Sequence, residues 1–247
     1  MIRNARATAD QVLVLDAGHG LLSTSGHPET PPGEIAAELY DLLGYDAVVL
    51  GAQDLATLGP EGVARIRASS RFALLSANAY PAGSDELAAE PYALRDMGSH
   101  KVAILGLTDS GDVAGWQIRD PLHTARRYVR QLRHEADIVI LLSHAGQEVD
   151  RQIAERVRGI DVIVVGGNQR DAGPEIVGRD GTLLIHADQY VAERAGRFVG
   201  VAQLSLDGAG RLVRYAWQRI ALDATVPADP AIDAWLLGLA TREATPQ

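Results

Sequence analysis

The sequence predicts an α/β fold built around a buried sheet. Four short apolar runs stop at a glycine or another small residue and are followed at once by polar side chains: VLVLDAGH, AVVLGAQD, VILLSHAG and VIVVGGNQ. Continuous Val/Ile/Leu runs of this length are typical of strands buried on both faces, and ligands of such sheets lie beyond the carboxyl ends of the strands. The polar residues after the four runs are therefore expected to converge on one pocket.

In the first half of the chain, strand and helix signals alternate. Strands are predicted over residues 12–15, 46–50 and 72–76, and helices over residues 34–43 and 60–68. The first helix has apolar residues at helical spacing and ends at the C-cap residue Gly44, whereas the second begins at Pro60. Residues 80–90 are predicted to form a polar loop.

The second half of the chain combines a crossover unit with hairpins. Strand 138–142, helix 147–158 and strand 161–165 form a strand-helix-strand unit, which favours parallel pairing of the two strands. A helix is predicted over residues 121–134. Hairpins are predicted for residues 92–96 with 101–107 around Gly98-Ser99, within residues 175–185, and for residues 198–206 with 212–222.

Length and composition fit one domain spanning residues 1–247. A layered sheet protein of this length buries a substantial core as one unit, and 47% of the residues are hydrophobic. The chain has 32 acidic and 23 basic residues, a net charge of −9, which disfavours nucleic acid or an anionic membrane as a partner.

The absence of cysteine excludes a disulfide framework, a thiolate metal site and a thiol nucleophile. No apolar run approaches the length of a membrane span, and the N-terminus lacks the apolar core of an export signal. We expect a soluble protein whose compartment stays open: cytoplasmic as the chain stands, and periplasmic or extracellular if a leader has been removed.

The four strand ends resemble the metal-binding loops of the calcineurin-like metallophosphoesterases, in the subgroup of 5′-nucleotidases and UDP-sugar hydrolases. That family has GD, GNH(D/E), SH and GHxH in this order. The corresponding residues here are Gly18-His19, Gly51-Ala52-Gln53-Asp54, Ser143-His144 and Gly167-Asn168-Gln169-Arg170. Connecting segments such as EIAAELYDLLGYDAVVLG and KVAILGLTD are similar as well, so the resemblance covers nearly the whole chain. It implies a four-layer α/β/β/α sandwich.

Two parts of the resembled family are not found in this sequence. The family opens with a strand that ends in Asp-x-His, whereas only MIRNARATAD precedes the strand predicted over residues 12–15. The resemblance therefore implies a sandwich truncated at the N-terminal strand, and we expect a single domain without the C-terminal nucleotide-specificity domain. Because an unpaired sheet edge is a template for another chain, we expect a homo-oligomer or a dedicated protein partner at this edge.

Most metal-ligand positions of the resembled motifs carry different residues. The family's bridging carboxylate can face two metals, whereas His19 in its place offers one nitrogen lone pair, so a dinuclear centre is not expected. Ala52 has no donor atom, and Gln53 cannot transfer a proton near neutral pH as the family's histidine does. Asp54 is a weak catalytic candidate, and the alternative is a turn or cap aspartate. His19 could equally be a hydrogen-bonded loop histidine.

His144 keeps the residue type of its motif, and a structural histidine is the alternative. In the last motif Asn168 and Arg170 replace two histidines, and the guanidinium brings a fixed positive charge to a position where the family has a cation. We therefore expect a pocket that offers hydrogen-bond donors to a phosphate-like anion without a metal. Its residues would be His19, Gln53, His144, Asn168 and Arg170.

Two functions remain open. The preferred one is a degenerate, non-catalytic domain that acts as a binding or assembly subunit and needs no cofactor. The alternative is a divergent, metal-dependent phosphoesterase with one Mn or Zn ion on His19, His144 and Asn168, assisted by Asp16 or Asp54. Arg170 binds the anion in the first hypothesis unless it pairs with Asp171 or Glu175.

The spacing of His123, His134 and His186 singles out none of them, and neither a dinucleotide fingerprint, a P-loop nor a serine-hydrolase elbow around Ser143 is present.

Overall fold

The computed structural model describes residues 1–22, 30–167, 173–187 and 197–244. The helices are α1 (Ile2–Thr8), α2 (Glu34–Leu43), α3 (Ala52–Ser69), α4 (Pro121–Leu132), α5 (Gln147–Arg156) and α6 (Pro230–Ala244). The strands are β1 (Leu15–Asp16), β2 (Ala47–Val49), β3 (Ala73–Leu75), β4 (Ala79–Pro81), β5 (Tyr92–Met97), β6 (His100–Leu107), β7 (Trp116–Ile118), β8 (Ile138–Ser143), β9 (Val162–Val165), β10 (Glu175–Val177), β11 (Thr182–Ile185), β12 (Phe198–Leu206) and β13 (Leu212–Ala221).

Six strands form the larger sheet, in the order β10-β11-β9-β8-β6-β5. Its four central strands run parallel, and β5 and β10 pair antiparallel at its two edges. The parallel pairing predicted for the strand-helix-strand unit is confirmed in β8-α5-β9. The predicted hairpins are confirmed as β5-β6, β10-β11 and β12-β13.

A smaller parallel sheet, β1-β2-β3, packs face to face on the larger one. Alternate residues of a strand point to opposite faces, so each sheet has an inner and an outer apolar surface. Val102 and Ile104 of β6 lie in the core between the sheets together with Val49 of β2. Ala103 and Leu105 lie on the opposite face of β6, against α4 and α5.

The outer face of the smaller sheet packs on α2 and α3, where Val48 and Leu74 contact Leu55 and Ile66 of α3 and Ala37 of α2. The layers therefore run helices, sheet, sheet, helices. The half-buried side chains of β12 and β13, among them Leu204 and Trp217, cover the core between the sheets. This arrangement confirms the four-layer sandwich expected from the resemblance.

Two predicted elements in the first half of the chain are wrong. The second helix does not begin at Pro60, because α3 begins at Ala52, directly after β2, and continues through a kink at Gly59, whose φ is 61°. Pro60 begins only the second part of the helix, where its missing N–H is tolerated. The segment 80–90 is not wholly a loop, since β4 pairs with β7 through Tyr80 and Gln117.

The edge of the smaller sheet is the place where a partner chain is expected. Among the described strands, β1 is hydrogen-bonded to β2 alone, and β12 and β13 pair only with each other. The oligomer or partner at this edge stays a prediction. In the described part of the chain, no helix has the length and apolarity needed to cross a membrane.

Candidate functional site

Three of the four predicted strand ends converge, and the fourth continues after Gly167 outside the described residues. The loop after β1 carries His19, β2 leads through Gly51 into α3, β6 leads to Asp109, and β8 leads to His144. These loops approach so closely that glycine is required: a Cβ on Gly18, whose φ is 102°, would lie 2.7 Å from Cδ2 of His144. A Cβ on Gly51 would collide with the ring of His19. The glycines that end the apolar runs therefore allow the two imidazoles to meet.

His19 and His144 are in direct ring contact, with centroids 3.8 Å apart and ring planes inclined at 43°. His144 is buried, and its Nδ1 lies 3.2 Å from Oδ1 of Asp109. A carboxylate only accepts hydrogen bonds, so Nδ1 of His144 carries the proton. Nε2 of His144 is then a buried lone pair, and it has no hydrogen-bond partner among the described residues.

His19, Asp109 and His144 form a group that can hold a metal ion. One ligand atom from each lies within 4.8 Å of the other two, and the described residues contain no second group of this kind. A histidine that binds a metal commonly donates its other ring N–H to a carboxylate, as His144 does to Asp109. Nε2 of His144, which has no partner among the described residues, and the neighbouring imidazole fit a divalent transition metal ion. Ala52 offers no donor atom.

The ionisation states of His19 and Asp109 favour metal binding at neutral pH. The pKa of His19 is lowered to about 4, mainly by burial and then by the neighbouring His144, against the opposite effect of Asp109. Burial alone would raise the pKa of Asp109, but hydrogen bonds from His144 and from the Ala52 N–H hold it below its ordinary value. A neutral imidazole and an ionised carboxylate are the forms that ligate metals.

Asp54 lies behind the site and not in it. Its side chain is fully buried and accepts hydrogen bonds from the backbone N–H groups of Gly51, His19 and Leu21, at 2.8, 2.8 and 3.0 Å. Burial raises its pKa to about 6, and the three N–H groups act in the opposite direction. This is the cap role that the sequence left open, so the geometry does not favour Asp54 as a catalytic residue.

The other residues predicted for the site are Gln53, Asn168 and Arg170, with Asp171 and Glu175 as alternative partners of Arg170. Gln53 is exposed in the first turn of α3, and its backbone N–H lies 3.4 Å from Nε2 of His19. Asn168 and Arg170 lie outside the described residues, and so does Asp171. Glu175 accepts two hydrogen bonds from Arg151, at 2.8 and 2.7 Å, and is thereby already paired.

The remaining polar residues have structural contacts. Asp16 accepts hydrogen bonds from the Gly18 N–H and from the Tyr40 hydroxyl, and burial raises its pKa. His186 is buried with Nδ1 at 2.9 Å from the Val165 carbonyl. His123 and His134 are exposed on and just after α4.

Two functional neighbours were missed by sequence reasoning. Asp109 follows AILGLT, an apolar run ending in polar residues, which is the same signal as at the other four strand ends. Asp150 gave no such signal, because it lies inside α5. It is fully buried and accepts a 2.5 Å hydrogen bond from the hydroxyl of Ser143, which itself accepts the Ala145 N–H. This bond fixes the turn that carries His144.

The fold and the strand-end site define the class of the protein as an α/β metallophosphoesterase-like domain. No family model matches the chain. A 5′-nucleotidase of Rattus norvegicus is 30% identical over 261 residues, covering 94% of this chain and 44% of the rat protein. An uncharacterized metallophosphoesterase of Bacillus subtilis is 26% identical over 216 residues, covering 84% of this chain and 45% of its own length. The chain therefore spans less than half the length of these relatives.

Among solved structures, the 5′-nucleotidase precursor of Thermus thermophilus superposes with a TM-score of 0.79 at 25% identity, covering 99% of this chain and 53% of that one. The chain is thus a homologue of the metallophosphoesterases and 5′-nucleotidases, and it has the calcineurin-like phosphoesterase fold. This confirms the resemblance drawn from the strand-end motifs.

Proposed function

We propose that this chain holds one divalent transition metal ion on His19 and Nε2 of His144, with Asp109 orienting His144 from behind, and that it binds a phosphate-like anion there without hydrolysing it. The observation that carries the proposal is Nε2 of His144, which is buried, has no hydrogen-bond partner among the described residues and belongs to a ring in contact with a second imidazole. A buried polar atom without a partner is costly unless a ligand satisfies it. The chain would then act as a binding or assembly subunit.

The donor set supports a single ion. Two neutral imidazoles suit Zn²⁺ or Fe²⁺ better than Mg²⁺ or Ca²⁺, which prefer oxygen ligands, and they leave coordination positions open. When bound, such an ion supplies positive charge to a phosphoryl oxygen. His19 and Nε2 of His144 would hold it, and Asp109 fixes the tautomer of His144 through Nδ1.

The described residues at the proton-donor position of the resembled motif support a binding role. The position that the resemblance assigns to the proton-donating histidine is Gln53, whose amide cannot transfer a proton near neutral pH. Asp54 next to it is fully buried under three backbone N–H groups. Neither side chain can protonate a leaving group.

A divergent phosphoesterase with this mononuclear site is the second candidate. It is favoured by the similarity of the chain to 5′-nucleotidases and to a metallophosphoesterase. Open positions on one ion are sufficient for weak hydrolysis, because the ion lowers the pKa of a bound water. In this candidate the leaving group departs without help from a general acid, so good leaving groups such as nitrophenolate react and alkyl phosphates do not.

Elemental analysis tests the metal site. The protein is purified without chelators or an affinity metal column, and is measured before and after incubation with excess manganese or zinc. We expect near-stoichiometric metal in the wild type and its loss in His144→Ala and His19→Asn. Asparagine suits His19 because it tolerates the positive φ of 63° at this position. His134→Ala, which changes an exposed histidine outside the group, is the control.

The two functions are separated by assays on the metal-loaded protein. Binding of inorganic phosphate or vanadate without turnover of phosphomonoesters and diesters supports the binding role. Turnover that disappears in His144→Ala but not in His134→Ala supports the phosphoesterase. If no metal is retained by the wild type under any of these conditions, the proposed metal site is wrong.

A further inference from the structure

His19 adopts an uncommon backbone conformation. Its φ is 63°, and it is the single non-glycine residue with positive φ in the described part of the chain. The left-handed region is sparsely populated by residues with a Cβ, and such a conformation persists only when its surroundings hold it in place. The ring that this backbone presents is the one that stacks on His144 at 3.8 Å.

The carboxylate of Asp54 holds this conformation. One oxygen accepts the N–H of His19 and the N–H of Gly51, each at 2.8 Å, and the other accepts the N–H of Leu21 at 3.0 Å. Asp54 is fully buried, so water does not compete for these bonds. A single side chain on α3 thus ties the loop after β1 to the end of β2.

The same side chain also orients the third member of the metal group. Its bond to Gly51 closes the first turn of α3, and the next N–H in that turn, from Ala52, donates to Oδ1 of Asp109 at 2.7 Å. Asp109 in turn faces Nδ1 of His144. Asp54 is therefore connected to His19 directly and to Asp109 and His144 through α3.

We propose that Asp54 is the positioning residue of the metal group: it sets the distance between His19 and the Asp109–His144 pair without contacting the ion. This inference rests on the proposed function in one respect, namely that the ion binds at this group of residues. The hydrogen bonds of Asp54 to the backbone do not involve the ion.

The test compares Asp54→Asn with Asp46→Asn. Asparagine at position 54 has the same shape, but its NH₂ group replaces an acceptor and faces a backbone N–H. Asp46 also accepts a backbone N–H, that of Val14 at 2.8 Å, but it lies at the opposite end of β1 and β2. It is therefore a matched control for the loss of a backbone-binding carboxylate.

Cobalt titration followed by visible absorption gives the first readout. Outer-sphere changes at metal sites commonly lower affinity roughly 10- to 100-fold, and we expect a loss of this size, with an altered spectrum, in Asp54→Asn. Asp46→Asn should bind cobalt as the wild type does, even if it loses similar thermal stability. Asp54→Glu keeps the charge and should recover part of the affinity, which also provides a test if Asp54→Asn folds poorly.

Ring-proton NOEs between His19 and His144, measured without metal, give the second readout. The wild type and Asp46→Asn should show them, and Asp54→Asn should lose them. If the wild type shows the NOEs but binds no cobalt, the proposed function fails while the positioning role stands. If Asp54→Asn keeps both the NOEs and the cobalt affinity, the positioning role is wrong.

Discussion

Asp150 offers the sharpest test of the electrostatics around this site. Its side chain is fully buried in α5, where Oδ1 accepts the hydroxyl of Ser143 and Oδ2 has no hydrogen-bond partner among the described residues. An ionised oxygen without a donor is costly in a protein interior. Burial accordingly raises the pKa of Asp150 from 3.8 to about 7, against the opposing effects of Ser143 and His144.

The sign of the effect follows from linkage. Between its unfolded and folded pKa, Asp150 is protonated in the folded protein and ionised in the unfolded chain, so stability falls as the pH rises. The stabilisation of the folded state by protonated Asp150 is fully present below pH 3.8 and is lost by pH 8. One pKa unit corresponds to about 1.4 kcal/mol, so the ionisation of Asp150 costs the folded state about 4 kcal/mol at pH 8. For a chain of this size that amounts to about 10 °C in Tm.

Asp150→Asn removes the titration and keeps the shape of the protonated side chain. The free energy of unfolding in urea is measured for both proteins from pH 4 to pH 8, and their difference is plotted against pH. Groups such as Asp54 and His19 titrate in both proteins and cancel in this difference. We expect the variant to gain about 4 kcal/mol relative to the wild type across this range. Asp112→Asn, at an exposed residue and with the same change in charge, is the control. A flat difference for Asp150→Asn would refute the reasoning.

Two further predictions concern the glycine at the site and the sheet edge. Gly18→Ala should destabilise the fold by about 1–3 kcal/mol and reduce metal retention, because φ is 102° and the new methyl group would lie 2.7 Å from the His144 ring. Gly208→Ala, with open space around it, is the control, and equal effects of both substitutions would contradict the prediction. Among the described strands β1 pairs with β2 alone, and this edge predicts self-association, which sedimentation velocity across a concentration series can measure; a monomer at every concentration would count against the prediction.

The fold was largely predictable because its strands are short and continuously apolar. Runs such as VILLS and VIVV are buried on both faces, so nothing but a central strand accommodates them. The start of α3 was not predictable in this way. Pro60 is a strong helix-start signal, and it concealed an earlier start at Ala52, where the cap is the side chain of Asp54 and Gly51 provides only its N–H. The strand pair β4-β7 was missed because its partners are three residues long and far apart in sequence.

Only the site residues that directly follow a predicted strand could be found from the sequence. His19 and His144 each follow an apolar run, and the structure brings their rings together. Asp109 gives the same signal but belongs to none of the four resembled motifs, so it was passed over. The role of Asp54 depends on three backbone N–H groups from two loops, and no residue pattern encodes which backbone groups a buried carboxylate will face. Folding decides this, because it brings residues 19 and 54 together.

Position 19, where the resembled motif has a carboxylate and this chain has an imidazole, bears on how many ions the proposed site would hold and on which ones. A carboxylate offers two oxygens and can join two hard cations, whereas His19 offers one nitrogen and lies in ring contact with a second imidazole. Nitrogen donors favour zinc and its neighbours over magnesium and calcium, which prefer oxygen. Of the described donors only Asp109 brings an oxygen, and that carboxylate is already engaged by Ala52 and His144. Magnesium and calcium should therefore fail to bind at concentrations that saturate the site with zinc, and a competition titration against cobalt would measure that difference directly.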